Sequence, residues 1–309
     1  MSYTNDIITK AGDTISTGSF SNGGLLSPEQ ARKFIQQTFE SNELGKHIRH
    51  VTRTAKTGEI DKIGISSRIL RKKTENFDDG YRADVTTSKL EYSTVAVRLP
   101  WEITEETLRE NIEGETLEKI ITDLMTTQIG IDSMDLYVNG DTEVSEEHPY
   151  HDFLYINDGW LKQLKNGHVI DKSSTGIMDI GVFYDAVKAI PNKYNNGKLR
   201  WIMSPHRAQE WQRYLLEKCI NNGSSAPESL YSMPVSIPII QCSAFADDTI
   251  VLTDPQNLVV VNTYDVKVRK TTEGKDAIMM DKRFYACHFD FDPIIEELDA
   301  TAIITGLTA

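Results

Sequence analysis

The sequence predicts an α+β fold carrying a long projecting β-hairpin, and three patterns predict it. Ile60, Ile63, Ile65 and Ile69 sit among charges, and apolar residues recur at every second position in two blocks over 90–101, on either side of a turn-rich 76–80, as in paired strands. Leu117, Ile120, Ile121, Leu124, Gln128, Ile131 and Met134 keep spacings of three and four, the stripe of one long helix. From 179 onward, short apolar runs alternate with helical patterns, as in an α/β lobe.

Each element has a local cause. Residues 1–26 are rich in Ser, Thr, Gly and Asn and bury too little to order by themselves, so they read as an arm. Ser27-Pro28-Glu29-Gln30 opens a helix, with Ser27 as N-cap and Gln30 closing a capping box. After Gly45 the chain turns extended. Ile60, Ile63, Ile65 and Ile69 sit among charges on the outgoing strand. On the return, Leu90 and Tyr92 share one parity while Val95, Val97, Leu99 and Trp101 share the other, so a bend falls at Ser93-Thr94. A two-stranded hairpin is marginal in water, and this one must lie on something.

Thr104 is the next N-cap, followed by Glu105 and Glu106 in the first turn, where the helix dipole favours anions. Gly114 interrupts the helix, which resumes with an acidic outer face and ends at Asn139-Gly140. Residues 141–175 read as loop around a short apolar piece, 160–164. A helix over 179–190 is stopped by Pro191, and a strand over 199–203 leads into a helix capped at Ser204-Pro205 that carries Trp211, Leu215 and Cys219. A Gly/Ser loop spans 221–227. Strands follow over 237–242, 249–253 and 258–262, at Val266 and Val268, over 284–289, and finally over 301–306.

Composition narrows the function. The 309 residues carry a net charge of −13, which argues against a surface built to grip nucleic acid. Cys219, Cys242 and Cys287 are odd in number and widely spaced, which fits a reducing compartment. No apolar run is long enough to cross a bilayer, and the start lacks a signal-peptide layout, so the chain reads as intracellular at synthesis.

No catalytic or metal site is predicted. There is no P-loop, dinucleotide fingerprint, paired-Cys zinc spacing or nucleophile elbow, and no cofactor is called for. His148 and His151, near Glu146, Glu147 and Asp152, come closest to a metal set but read as a solvated loop. Cys287 and His288 point to opposite strand faces and cannot form a dyad. Asp290 and Asp292 share a parity and read as an exposed edge.

The strongest functional signal is a segregation of charge. Between Lys46 and Lys73 stand nine Lys/Arg against two acids; between Glu102 and Asp158 stand sixteen acids against Arg109 and Lys119. Such segregation predicts surfaces made for a partner, here another copy of the chain.

The order of parts resembles the Hong Kong 97-type major capsid protein of tailed bacteriophages. Residues 23–29 are similar to that family's entry to its N-arm helix. Ser93-Thr94-Val95-Ala96-Val97-Arg98-Leu99-Pro100-Trp101-Glu102-Ile103-Thr104 resembles its hairpin return feeding the spine helix, and Trp201-Ile202-Met203-Ser204-Pro205 its A-domain strand-to-helix step. Met233-Pro234-Val235 and residues 250–260 resemble later strands of that lobe, and 300–306 its closing strand.

The resemblance implies an arm and helix over 1–45, an E-loop hairpin over 46–98, a P domain with spine helix over 99–175, an A domain over 176–262, and return strands over 263–309. It implies a non-catalytic subunit forming hexamers and pentamers that close into an icosahedral shell around double-stranded DNA, met without sequence readout and away from membranes. A portal is expected. Because the first capped helix begins by Ser27, scaffolding is expected from a separate protein. The virion is the expected location, after the host cytoplasm. Facing contacts between subunits would come from Arg68, Arg71, Lys72 and Lys73 on the hairpin and Glu105, Glu106, Glu113 and Glu118 on the helix. An encapsulin-like cage of the same fold and an unrecognised α/β enzyme are the alternatives.

Overall fold

A computed structural model describes residues 43–65, 68–72, 80–110, 115–221, 233–263 and 267–308. The expected N-terminal arm and Ser27-capped helix, Lys73, most of the 76–80 turn, Glu113, Gly114, the loop from 222 and Val266 lie outside these residues.

Four strands come first: β1 (Arg49–Thr52), β2 (Thr57–Gly64), β3 (Thr86–Ser93) and β4 (Val95–Thr104). Helices α1 (Glu105–Glu110) and α2 (Glu115–Asn139) follow, then the short α3 (His151–Leu154) and α4 (Trp160–Leu164). The next part runs β5 (His168–Asp171), α5 (Ile180–Ala189), β6 (Arg200–Met203), α6 (Pro205–Asn221), β7 (Ile239–Gln241) and β8 (Ile250–Thr253). The chain closes with β9 (Leu258–Asn262), β10 (Lys267–Thr271), α7 (Lys275–Met280), β11 (Lys282–Ile295) and β12 (Ala302–Thr305).

Strand β11 organises the first sheet. Its first ten residues pair antiparallel with β4, from Lys282↔Thr104 to Phe291↔Val95. β10 pairs with the same stretch and therefore takes the opposite edge. The last four residues of β11 pair with β9, whose other neighbour is β1 in parallel. The sequence places this strand only over 284–289, whereas it runs from Lys282 on through Asp290, Asp292 and Pro293 to Ile295. In the fold Pro293 and Ile294 give their carbonyls to Gln163 Nε2 and Trp160 Nε1, at 2.6 and 3.2 Å. Helix α4 thus supplies donors to this stretch of β11. Across the ladder Trp101 stacks on Tyr285 with centroids 5.2 Å apart, a cross-strand aromatic pair.

Helix α2 buries a somewhat different face from the one its spacing predicts. Leu117, Ile121, Ile129, Met134, Leu136, Tyr137 and Val138 are buried, while Ile120, Leu124, Gln128 and Ile131 are only half-buried. The helix enters the core progressively, so its last two turns are covered on more than one side. Its acidic side is correspondingly less solvated than expected. Burial pushes the carboxyls of Asp132 and Asp135 upward. Gln128 Nε2 and Asn139 Nδ2 donate to them at 2.7 and 2.5 Å.

The second sheet runs β5-β12-β8-β6-β7. Its central strands β12, β8 and β6 are buried on both faces and read as mostly apolar runs. Trp201, Met203, Ile250, Leu252 and Ile304 meet helices α5 and α6, whereas Ile202, Ile240, Val251 and Ile303 join the core of the first sheet and α2. Phe183 stands edge-on to Trp201 at 4.8 Å and tilts against Trp211 at 4.8 Å. The two helices start as their caps dictate: Asp179 Oδ1 accepts from Val182 N at 3.0 Å, and Ser204 Oγ from Arg207 N at 3.1 Å. Strand β5 and helices α3 and α7 fall where the sequence reads loop or nothing. They are four to six residues long and take their order from neighbours.

Burial separates the structural residues from the rest. Ile103, fully buried in the first core, should cost about 2–5 kcal/mol on truncation to Ala. Leu70, 94% exposed on the hairpin, should cost under about 0.5 kcal/mol as Leu70→Ala. Urea unfolding of both variants checks the contrast.

Candidate functional site

The hairpin formed by β2 and β3 has two differently built halves. At its root, β9 explains the seating. Leu258, Val259, Val260 and Val261 are all buried, although successive side chains point to opposite faces. Leu258 and Val260 face the first core; Val259 and Val261, with Ile294, are covered by Tyr92, Leu90, Ile60 and Val51. The hairpin root is therefore the second cover of its own sheet. Gly58 lies opposite Tyr92, where a Cβ would stand 2.7 Å from the phenol oxygen, so only glycine admits the ring without a shift. Lys62 anchors the same face, with Nζ 2.8 Å from Glu297 Oε2, and Arg49 Nη2 stands 2.7 Å from Glu296.

The bend expected at Ser93-Thr94 is where the chain changes partner, from β2 to β11. Thr94 N donates to Lys56 O at 2.8 Å, and Thr94 Oγ1 lies 3.1 Å from Asp290 Oδ2. Asp290 also accepts from Thr263 N at 2.8 Å. Ser93 N donates to Asp292 Oδ2 at 2.6 Å. The expected exposed Asp290–Asp292 edge is thus corrected: Asp290 is buried and both carboxylates hold the bend. Burial pushes Asp292 up to about 6, the charge of Asp158 adds to it, and the Ser93 bond works against both.

The outer half is exposed. Ile63, Ile65, Leu70 and Val85 are large apolar side chains in solvent, and Leu70 is 94% accessible. Arg68, Arg71 and Lys72 are exposed among them, with the Arg71 guanidinium 3.7 Å from the Tyr81 ring centroid.

The acidic candidates divide. Glu106 is exposed on α1. Glu105 and Glu118 face inward to the same chain: Arg283 bonds both carboxylates, and Lys270 bonds Glu118. Lys282 and Glu102 lie 3.0 Å apart beside them. The hydrogen bond from Arg283 holds Glu105 below its ordinary value. Burial would raise Glu118, but Lys270 and Arg283 outweigh it and hold it low, while the two carboxylates raise Arg283. Charges far apart in sequence thus meet within the chain, a pairing that a count by segment misses.

Sites of chemistry are few. Among the described residues no group of three or more His, Cys, Asp or Glu is placed to hold a metal, and no helix is long and apolar enough to cross a membrane. His151 Nδ1 lies 3.2 Å from Asp152. Cys287 is buried and His288 half-buried on alternate faces. Ser204, His206 and Asp247 cluster at the start of α6, but Asp247 sits between the other two: it accepts the Ser204 hydroxyl and lies 3.2 Å from His206 Nδ1. Ser204 Oγ also accepts from Arg207 N, so the hydroxyl caps α6, and its own hydrogen bond to Asp247 holds that carboxyl below its ordinary value.

No family model matches the chain. It is 26% identical over 315 residues to "Putative prophage capsid protein YqbE" of Bacillus subtilis (strain 168), covering 97% of both chains. A solved structure from Gordonia phage Cozz aligns with a TM-score of 0.61 at 11% identity, over 96% of each chain. The holo-SrpI encapsulin complex of Synechococcus elongatus PCC 7942 aligns at 0.59 and 12%, over 87% of this chain and 89% of that one. The chain has the Hong Kong 97-type capsid fold these structures share.

Arg283→Met removes the cation between Glu105 and Glu118. At pH 7 it should lower stability by about 1–2 kcal/mol, because two partly buried carboxylates lose their partner. Both carboxyls are held low in the folded state, so this contribution is present above pH 4.5 and is lost as the pH falls below it. Urea unfolding at pH 7 and pH 3 should show the deficit at the first and little of it at the second.

Proposed function

We propose that this protein is the structural subunit of a tailed-phage capsid, whose copies form hexamers and pentamers that close into an icosahedral shell around double-stranded DNA. The observation that carries the reading is full-length likeness. The capsid fold runs through nearly all of this chain and of its structural neighbours, and the prophage relative matches end to end. Its work is geometric: each copy offers surfaces at fixed angles, and closure follows from repetition.

The exposed hairpin half fits that work. In this reading 46–98 is the E-loop, 99–175 with α2 the P domain, 176–262 the A domain, and 263–309 the return strands, preceded by the arm and helix of 1–45. Arg68, Arg71, Lys72 and Lys73 of one copy approach the acidic side of a neighbour, where Glu106 is exposed outside the Arg283 network and Glu113 is the further acid the sequence offers. Glu105 and Glu118 act behind them, fixing the helix against β10 and β11. Single exposed pairs contribute about 0–1 kcal/mol, but repeated around a shell they set register and speed encounter. The net charge of −13 suits a wall that meets packaged DNA without gripping it. A separate scaffolding protein and a portal complete the set of partners, and the subunit passes from host cytoplasm to virion.

An encapsulin-like cage is the second reading, favoured by the alignment with the encapsulin complex. Electron microscopy of the expressed chain, alone and with a co-expressed scaffold candidate, distinguishes the readings. Closed shells are expected, and compact monomers under every condition would overturn both. Shells that fill only with a co-expressed protein cargo would favour the cage.

The charge-reversed variant Arg71→Glu/Lys72→Glu/Lys73→Glu should assemble less efficiently than wild type. The defect should be larger at low salt, where screening is weakest. Light scattering during assembly at two salt concentrations reads it.

A further inference from the structure

The hairpin root contains a half-buried acid at the point where the hairpin meets the body. Asp292 lines a cleft of about 520 Å³ together with Thr57, Gly58, Glu59, Glu91, Tyr92 and Ser93. It belongs to β11, the body of the protein, and its bond from Ser93 N at 2.6 Å reaches the last residue of the hairpin. One residue further on, Thr94 leaves the hairpin ladder and β4 begins on β11. A movement of the hairpin about its root must therefore stretch the Ser93–Asp292 contact.

The charges around Asp292 are mostly of its own sign. Glu59 from β2 and Glu91 from β3 line the cleft, with Glu59 taken up by Lys89. Asp158, ahead of α4, raises Asp292 by its charge even though Lys162 stands 2.8 Å from it. Asp290 lies two residues away on the same strand, tied to Thr94 and Thr263. β9 presents no ionisable side chain, and the Arg49 of β1 is held by Glu296. No cation in this set bonds Asp292 itself.

We propose that the Ser93–Asp292 junction is a proton-operated hinge: the hairpin root seats on the sheet when the Asp292 carboxyl is protonated and loosens when it ionises. A neutral carboxyl still accepts the Ser93 N–H through its carbonyl oxygen, and it no longer carries charge into the cleft. Burial raises Asp292 from 3.8 to about 6, and a root swung away from the body returns it toward 3.8. The seated state therefore binds the extra proton between those values. Seating is strongest below them and weakens as the pH rises through about 6. Two units correspond to roughly a hundredfold at most, of which about tenfold falls between pH 7.5 and 5.

Amide hydrogen exchange on the full-length, unassembled chain tests this without reference to any shell, so its failure and that of the capsid reading are separable. Rates are corrected for the intrinsic pH dependence of exchange. Residues 57–60 and 90–94 should gain about tenfold protection on going from pH 7.5 to 5, while β6 and β8 stay constant. Asp292→Asn keeps an acceptor without charge; its root should be protected at both pH values and insensitive to the change. Wild-type protection that is flat, or that rises equally in β6 and β8, would overturn the hinge. So would an Asn variant that keeps the wild-type response. If that variant does not fold, the comparison of root and lobe within wild type still decides.

Discussion

Strand β11 is the constraint on which the rest depends. Fourteen residues of continuous extended chain must have their backbone groups and both faces satisfied, and four parts of the protein do so in turn. β4 and β10 flank its first part, β9 extends its second, and α4 gives side-chain donors to Pro293 O and Ile294 O. Side chains on one face of β11 change role along the strand. Arg283 binds the acids of α1 and α2, and Tyr285, Cys287, Phe289 and Phe291 on the same face enter the first core. Asp290 and Asp292 hold the chain where it turns into the hairpin.

The hairpin follows from the same strand geometry. The apolar run of β9 needs cover on two faces, and the inner half of β2 and β3 is the second cover. That gives the root a hydrophobic reason to stay with its own chain, while the outer half has none. Ile63, Ile65, Leu70 and Val85 remain in water, among cations. The outer half is the part that the proposed capsid reading assigns to contact with another copy.

Charge behaves differently on the two sides. Glu105 and Glu118 are partly withdrawn from water and matched by Arg283 and Lys270, and desolvation requires such matching. Asp292 is withdrawn without a matching cation and compensates by holding its proton more tightly. The first arrangement fixes the helix pair to the sheet. The second leaves a joint whose strength follows the proton concentration.

What the sequence determined by itself was local and periodic. The hairpin strands, the helix over 179–190, the cap at Ser204, the strand Leu258–Asn262 and the bend at Ser93-Thr94 were legible because caps, alternation and parity are set by near neighbours. The order of these parts carried the capsid resemblance. The tertiary structure alone decided the full length of β11, whose last four residues are ordered by pairing with β9. It decided which side of α2 is buried, because coverage near Val138 comes from several elements at once. It gave β5, α3 and α7 their order, each too short to be stable alone. It also decided the candidate contacts. Glu105 and Glu118 were legible as acids, but their partner Arg283 lies more than 160 residues away. Asp292 looked like an ordinary exposed acid, and only burial beneath the hairpin root makes it otherwise. A carboxylate's charge state depends on its solvation and neighbours, and long-range packing sets both.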